Sequence, residues 1–236
     1  MKAVIFDLGH TLIDYYDDWT GPEERVVNRI YDMVASISPS IDREEFTAYL
    51  SNSLRQARDR KSTQMIEVPL VDLMGECLER YGALDEYNLG QCLELFYNAL
   101  QEDRKLVAGA IELLHGLKER GMSIGLISDV AWGLPSEYSM RDIQHFGLDQ
   151  FFDDYVFSTD VGLRKPHPKV FKIALSNLGV TASEAMYIGN SLAHDIKGAK
   201  GVGMRAVLKR SKYCPPAEVE ADHVISSLDE VEALID

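Results

Sequence analysis

A carboxylate closes the first apolar run of the chain, where Ala3-Val4-Ile5-Phe6 leads into Asp7-Leu8-Gly9-His10-Thr11. An aspartate there can attack as a nucleophile, hold a metal ion, or do both. In open parallel α/β sheets the carboxyl ends of the strands face the ligand crevice, so Asp7 is displayed to a ligand rather than to the core. A lone strand-end aspartate could equally form no more than a local turn bond. Three further segments repeat the placement. Ser128 ends an apolar run over 123–128, Lys165 lies beyond a run over 155–158, and Gly189-Asn190 with Asp195 follow a run over 185–189. Each alone has a plainer reading, as a helix cap, a loop dipeptide or a solvated helix residue. Together, in this order and at the ends of successive strands, they describe a site.

The elements that must position these residues alternate. A helix over 110–120, stopped by Gly121, precedes the strand over 123–128. A strand over 155–158 precedes a helix over 168–178 ended by Gly179, and strands over 185–189 and 205–208 flank a short helix over 193–200. A last helix over 228–235 is expected to close the sheet edge. Strands alternating with helices imply a parallel sheet covered on both faces. Between about Asp14 and Asp103 the pattern turns helical: Val26, Val27, Ile30, Met33 and Val34, then Phe46, Tyr49 and Leu50, with further stripes over 70–81 and 89–100. Four or five helices suffice for a small bundle. The fold class expected is α/β, a Rossmann-like parallel sheet core with helices on both faces and an inserted helical cap domain. Residues 1–14 and 104–236 form the core and 15–103 the insertion, which hangs beside Asp7 as a lid.

At 236 residues the chain is long enough to bury a sizeable core. Its net charge of −14 supplies no basic face for a nucleic acid and would be repelled by an anionic membrane. Small ligands are the expected partners, with the chain a monomer or small homo-oligomer. An anionic ligand would need local positive charge from a metal, a lysine or backbone N–H groups. Cys77, Cys92 and Cys214 lack metal-ligand spacing and read as reduced, buried hydrophobes. No apolar run approaches the roughly 18 residues of a membrane span, and the first strand begins without a basic leader, so a cytoplasmic protein is expected.

With these four segments the chain resembles the haloacid dehalogenase (HAD) superfamily, a group dominated by phosphatases. Its first motif, usually Asp-x-Asp-x-Thr/Val, is matched by Asp7-Leu8-Gly9-His10-Thr11, and its second by Ser128. Its third is matched by Arg164-Lys165-Pro166-His167-Pro168, and its fourth, commonly Gly-Asp-Ser-x-x-x-Asp, by Gly189-Asn190-Ser191-Leu192-Ala193-His194-Asp195. The resemblance implies a Mg²⁺-dependent phosphatase of a small phosphorylated metabolite, working through an aspartyl phosphate on Asp7. It implies that the Ser128 hydroxyl, the Asp129 backbone N–H and Lys165 hold phosphoryl oxygens, with Lys165 also offsetting charge on the nucleophile. It further implies Mg²⁺ on Asp7, the Gly9 carbonyl, Asn190 and Asp195. Thr11 would fix the loop.

Two positions depart from that pattern. Gly9 stands where the family carries a second aspartate, the general acid–base that protonates the leaving alkoxide and activates water. Groups of that kind contribute about 10² to 10⁴-fold in rate, so alkyl phosphates should react slowly and aryl or acyl phosphates better. His10 has a suitable pKa for the task, but its neighbouring position points it elsewhere and a local contact is expected. Asn190 replaces the usual aspartate, which keeps an oxygen and removes one charge from the metal set. Arg55, Arg58, Arg60 and Lys61 form a basic cluster that could grip a second anionic group or simply form a solvated helix face. Tyr15, Tyr16, Trp19 and Trp132 could line the crevice or pack as core.

Two other functions fit the same residues. A dehalogenase of this group also lacks the second aspartate, but it places an asparagine three residues before the final aspartate, where this chain has Leu192. A catalytically weak phosphate-binding or regulatory protein would account for Gly9 and Asn190 together.

Overall fold

The computed structural model of the chain describes residues 1–15, 18, 20–212, 214 and 218–235. Tyr16 and Trp19, two of the aromatic candidates for the crevice, lie outside them. Its central strand is β1 (Ala3–Phe6), every residue of which is buried. Four consecutive apolar residues suit a strand covered on both faces. Their side chains alternate: Val4 and Phe6 enter one apolar cluster, Ala3 and Ile5 a second on the opposite face.

After β1 come β2 (Ile13–Asp14), the helices α1 (Thr20–Ile37), α2 (Arg43–Gln64), α3 (Leu70–Arg80) and α4 (Glu86–Gln101), and then β3 (Lys105–Leu106). β2 and β3 pair antiparallel, Ile13 opposite Leu106, so the chain leaves for the four helices and returns at one point. Side-chain caps start two of the helices: Asp42 accepts from Glu45 N at 2.9 Å, and Asp85 from Asn88 N at 2.7 Å. Of the stripe read from the sequence, Val26, Val27, Ile30 and Val34 are buried on α1 and Met33 is half-buried. Val26 and Ile30 share one apolar cluster with Phe6 and Leu126 of the sheet.

The remaining elements are α5 (Ala110–Glu119), β4 (Ser123–Ser128), α6 (Ser136–His145), β5 (Asp154–Phe157), α7 (Ser158–Val161), α8 (Pro168–Asn177), β6 (Ala185–Gly189), α9 (Lys197–Gly201), β7 (Arg205–Lys209) and β8 (His223–Ile225). The six long-sheet strands run β5-β4-β1-β6-β7-β8, all parallel. Successive strands go to one side of β1 and then to the other, so the order reverses beside β1, where open α/β sheets bind ligands.

Several expectations are corrected. The strand at 155–158 runs Asp154–Phe157 and Ser158 already opens α7. The helix at 193–200 is a wide turn, Leu192–Ile196 in π geometry, that tightens into α9 only at Lys197. The last segment, Leu228–Leu234, is a 3₁₀ helix lying against α5 and β8, and the sheet edge on that side is the strand β8. His223 and Val224 of that strand are exposed, so no apolar run announces it. Cys77 and Cys92 are buried free thiols that burial pushes up to about 12, and Cys214 is half-buried. Among the described residues no helix is long and apolar enough to cross a membrane.

Candidate active site

The ends of β1, β4 and β6 are neighbours in the sheet, so register alone brings the chain's strand-end polar residues together. Asp7 N still donates to Ile188 O at 2.9 Å, extending the ladder one residue past β1. The chain then turns tightly, the carbonyl of Leu8 accepting from Leu12 N at 2.9 Å and Ile13 N at 3.0 Å. His10 takes a left-handed conformation at φ 59° within that turn, and its carbonyl accepts from Lys209 Nζ at 3.0 Å.

Asp7 is buried and held at both oxygens. Oδ1 accepts from Lys165 Nζ at 2.6 Å and Oδ2 from Thr11 Oγ1 at 2.9 Å. The same ammonium lies 2.8 Å from Asp195 Oδ1 and donates to the Ile127 carbonyl and the Tyr187 hydroxyl, both at 3.2 Å. Tyr187 in turn donates to Asp195 Oδ1 at 3.0 Å, and Asp195 Oδ2 accepts from Ser191 N at 2.9 Å. Gly189 permits this closeness, since a Cβ there would stand 2.4 Å from the Asp195 carboxyl carbon. Asp129 Oδ1 fixes the lysine's own backbone, accepting from Lys165 N at 3.1 Å.

A cavity of about 670 Å³ opens over these groups. Asp7, Gly9, Ser128, Asp129, Lys165, Asn190 and Asp195 all line it. Asn190 donates to Ser211 Oγ at 3.0 Å. The basic cluster on α2 divides: Arg58 and Lys61 line this cavity, whereas Arg60 lines a smaller one of about 410 Å³ and Arg55 bonds Asn52 at the surface. Tyr15 and Trp132 also face the site. The Tyr15 hydroxyl donates to Asp142 at 2.9 Å, and Trp132 Nε1 donates to Glu23 Oε2 at 2.8 Å. His10 lines the cavity with Nδ1 3.6 Å from Asp14 Oδ1.

Two carboxylates sharing one ammonium leave the buried centre with surplus negative charge. Burial, reinforced by Asp195, pushes Asp7 up to about 7, although Lys165 pulls the other way. Lys165 keeps its proton: burial works against its charge, but Asp195 and Asp7 raise it well above the usual lysine value. An added cation would relieve that surplus. Among the described residues no group of three His, Cys, Asp or Glu side chains is placed to hold a metal. A cation here would draw on the Asp7 and Asp195 carboxylates, the Gly9 carbonyl and the Asn190 amide oxygen, with water and ligand completing its shell. Such hard oxygen sets with few carboxylates suit Mg²⁺.

Tyr187 and Glu23 are site residues that motif spacing does not mark. Tyr187 carries one signal, since a tyrosine inside a fully buried strand needs a partner for its hydroxyl. Glu23 carries none, because its place in the site comes from the packing of α1 over the strand ends.

Residues 4–209 match the family described as haloacid dehalogenase-like hydrolase. A glyceraldehyde 3-phosphate phosphatase of Methanopyrus kandleri is 31% identical over 216 residues, covering 90% of this chain and 86% of that protein. Another, of Pyrococcus furiosus, is 39% identical over 132 residues, where the match takes in 53% of this chain and about half (52%) of that relative's length. The crystal structure of a HAD phosphatase from Thermococcus onnurineus superposes with a TM-score of 0.68 at 25% identity, covering 99% of this chain and 97% of the other.

Proposed function

Because the chain belongs to the haloacid dehalogenase-like hydrolase family, we propose that it is a Mg²⁺-dependent phosphatase of a small phosphorylated metabolite, with Asp7 as its nucleophile. The observation that carries this reading is the Lys165 ammonium, 2.6 Å from Asp7 and 2.8 Å from Asp195, at the floor of a cleft between strand ends. The substrate named for two relatives, glyceraldehyde 3-phosphate, sets the size class.

In the first half-reaction an Asp7 carboxylate oxygen attacks phosphorus, the bond from phosphorus to the leaving oxygen breaks, and that oxygen departs with the electron pair. In the second, water attacks phosphorus and Asp7 leaves with its own electron pair, giving inorganic phosphate. Lys165 keeps the nucleophile oriented and offsets charge on the transferring oxygens, helped by the Ser128 hydroxyl and the Asp129 backbone N–H. Thr11 fixes which Asp7 oxygen faces the cleft by bonding Oδ2. Asp7, Asp195, the Gly9 carbonyl and the Asn190 amide oxygen would hold Mg²⁺, which when bound would supply positive charge that keeps Asp7 ionised and offsets the charge of the phosphate.

No side chain at position 9 donates a proton to the leaving oxygen, so the preferred substrates carry a good leaving group or supply the proton themselves. Residues 15–103 act as a cap over the strand ends, and Arg58 of the cap and Trp132 of the core form the wall that meets the rest of the substrate. The test is phosphate release from an aryl phosphate with and without Mg²⁺. Release that needs Mg²⁺ and disappears in Asp7→Asn is expected. Chloride release from a short haloacid in the presence of chelator, or binding of phosphate compounds without turnover, would replace the reading.

A further inference from the structure

The loop between α2 and α3 carries a carboxylate that lies far from Asp7 in sequence and is tied to both loops that build the phosphoryl site. Glu67 has a fully buried side chain. It accepts from Lys61 Nζ at 2.7 Å, from Arg164 Nη1 at 2.6 Å, from Val68 N at 3.0 Å and from the Ser158 hydroxyl. Its donors reach onward. Ser158 Oγ accepts from Val130 N at 2.9 Å, and Arg164 donates to the Val130 carbonyl at 3.3 Å and stands 3.9 Å from Asp129 Oδ2. Asp129 in turn accepts from Lys165 N.

The backbones are joined at the same place. Glu67 N donates to Gly162 O at 3.0 Å and Arg164 N to Met65 O at 2.9 Å, which makes an antiparallel bridge between Ile66 and Leu163. Gly133, at φ +80°, lets the loop seat closely, since a Cβ there would stand 2.4 Å from the Val68 carbonyl. Burial alone would raise the Glu67 carboxyl, but Arg164 and Lys61 hold it below the usual range, so it stays charged at neutral pH.

We propose that Glu67 is a positioning residue for phosphoryl transfer, a carboxylate from the helical segment that sets the Asp129–Val130 loop and the Lys165 backbone through Ser158 and Arg164. This rests on the phosphatase reading and deepens it. Several contacts join the helical segment to the rest of the chain, among them Trp132–Glu23, Tyr97–Asp142 and Arg141–Glu94, but those of Glu67 are made to residues adjoining Asp129 and Lys165. Seating of the Glu67 loop is therefore coupled to assembly of the phosphoryl site.

The test compares Glu67→Gln, Arg164→Gln and the double variant with the wild type in two measurements. In steady-state hydrolysis of an aryl phosphate each single variant should lose about 10- to 100-fold in kcat, the scale of a small misplacement of reacting groups, with KM changed far less. The double variant should be no worse than the worse single one, because both act along one connection. In hydrogen exchange of the whole protein the amides of Val130 and Lys165 should exchange at least about 10-fold faster in Glu67→Gln, while those of β1 and β6 keep their rates. Unchanged kcat, additive losses, or unchanged exchange at Val130 and Lys165 would overturn the proposal. If Glu67→Gln does not fold, Ser158→Ala leaves both ion pairs of Glu67 in place. It should still speed Val130 exchange and lower kcat, and no change in either overturns the inference. An inactive wild type whose Val130 and Lys165 amides loosen in Glu67→Gln would sink the phosphatase reading and support the coupling.

Discussion

The phenolic oxygen of Tyr187 lies 3.2 Å from Lys165 Nζ and completes a buried ring in which it accepts from the lysine and donates to Asp195 at 3.0 Å. The lysine thus has a neutral partner whose position is fixed by β6, while its two carboxylate partners belong to different segments. Removing the hydroxyl leaves Asp195 short of one donor and Lys165 of one acceptor. Tyr187→Phe should cost about 1–3 kcal/mol in stability and reduce kcat several-fold. Urea unfolding alongside steady-state kinetics checks this, and an unperturbed variant would show that the ring does not constrain Lys165.

At position 9 the structure has space for the acid the sequence lacks. Among the described residues a Cβ on Gly9 would meet only the Tyr15 ring, at 3.9 Å, and the backbone there lies outside the left-handed region. Gly9→Asp should therefore fold and should raise alkyl phosphate hydrolysis toward the roughly 10² to 10⁴-fold that general acids supply. Aryl phosphate hydrolysis should gain less. Equal gains on both substrates would point away from leaving-group protonation.

The raised pKa of Asp7 has a sign that can be checked without turnover. Unfolded, the carboxyl ionises near its ordinary value of 3.8; folded and metal-free, it ionises near 7. Between those values the folded chain binds the extra proton, so this group's contribution is fully present below about pH 4 and is lost as pH rises through 7. Asp7→Asn should be more stable than the wild type at pH 8 in chelator, by on the order of 1–4 kcal/mol, and the advantage should vanish by pH 4. Urea unfolding at the two pH values measures it. With Mg²⁺ present, the acid limb of kcat/KM should move to lower pH as the metal concentration rises.

Arg58 supplies a test of specificity. Its side chain is 52% exposed on the cavity wall and is anchored to Glu23, which Trp132 also holds. For a phosphorylated substrate with a second anionic group, Arg58→Ala should raise KM about 10-fold and leave kcat nearly unchanged, the signature of lost uniform binding. KM for a simple aryl phosphate should stay within about twofold. A parallel rise for both substrates would place Arg58 in the stability of the helical segment instead.

The sheet and the strand-end residues were legible because both follow from local pattern. Continuous apolar runs such as Ala3–Phe6 mark parallel strands, and a polar residue closing each run falls at the ligand-binding edge whatever the order of the strands. What escaped depends on contacts between distant segments. Glu67 and Glu23 read as surface acids until α2–α3 and α1 pack against the strand ends, and β8 is too exposed and too short to carry a period. The wide turn at Leu192–Ile196 escaped for a different reason, since its sequence differs little from that of an ordinary helix start and its geometry is set by Asp195 reaching back to Ser191 N and Tyr187.

Whether Asp7 takes the phosphoryl group can be read by trapping. The protein is mixed with excess aryl phosphate and Mg²⁺, quenched in acid, reduced with borohydride, and the peptide bearing residue 7 is read by mass spectrometry. Reduction of an aspartyl phosphate converts that aspartate to homoserine, so homoserine is expected at position 7 in the wild type and none in a metal-free control. Steady turnover with an unmodified Asp7, or turnover that survives in Asp7→Asn, would contradict it.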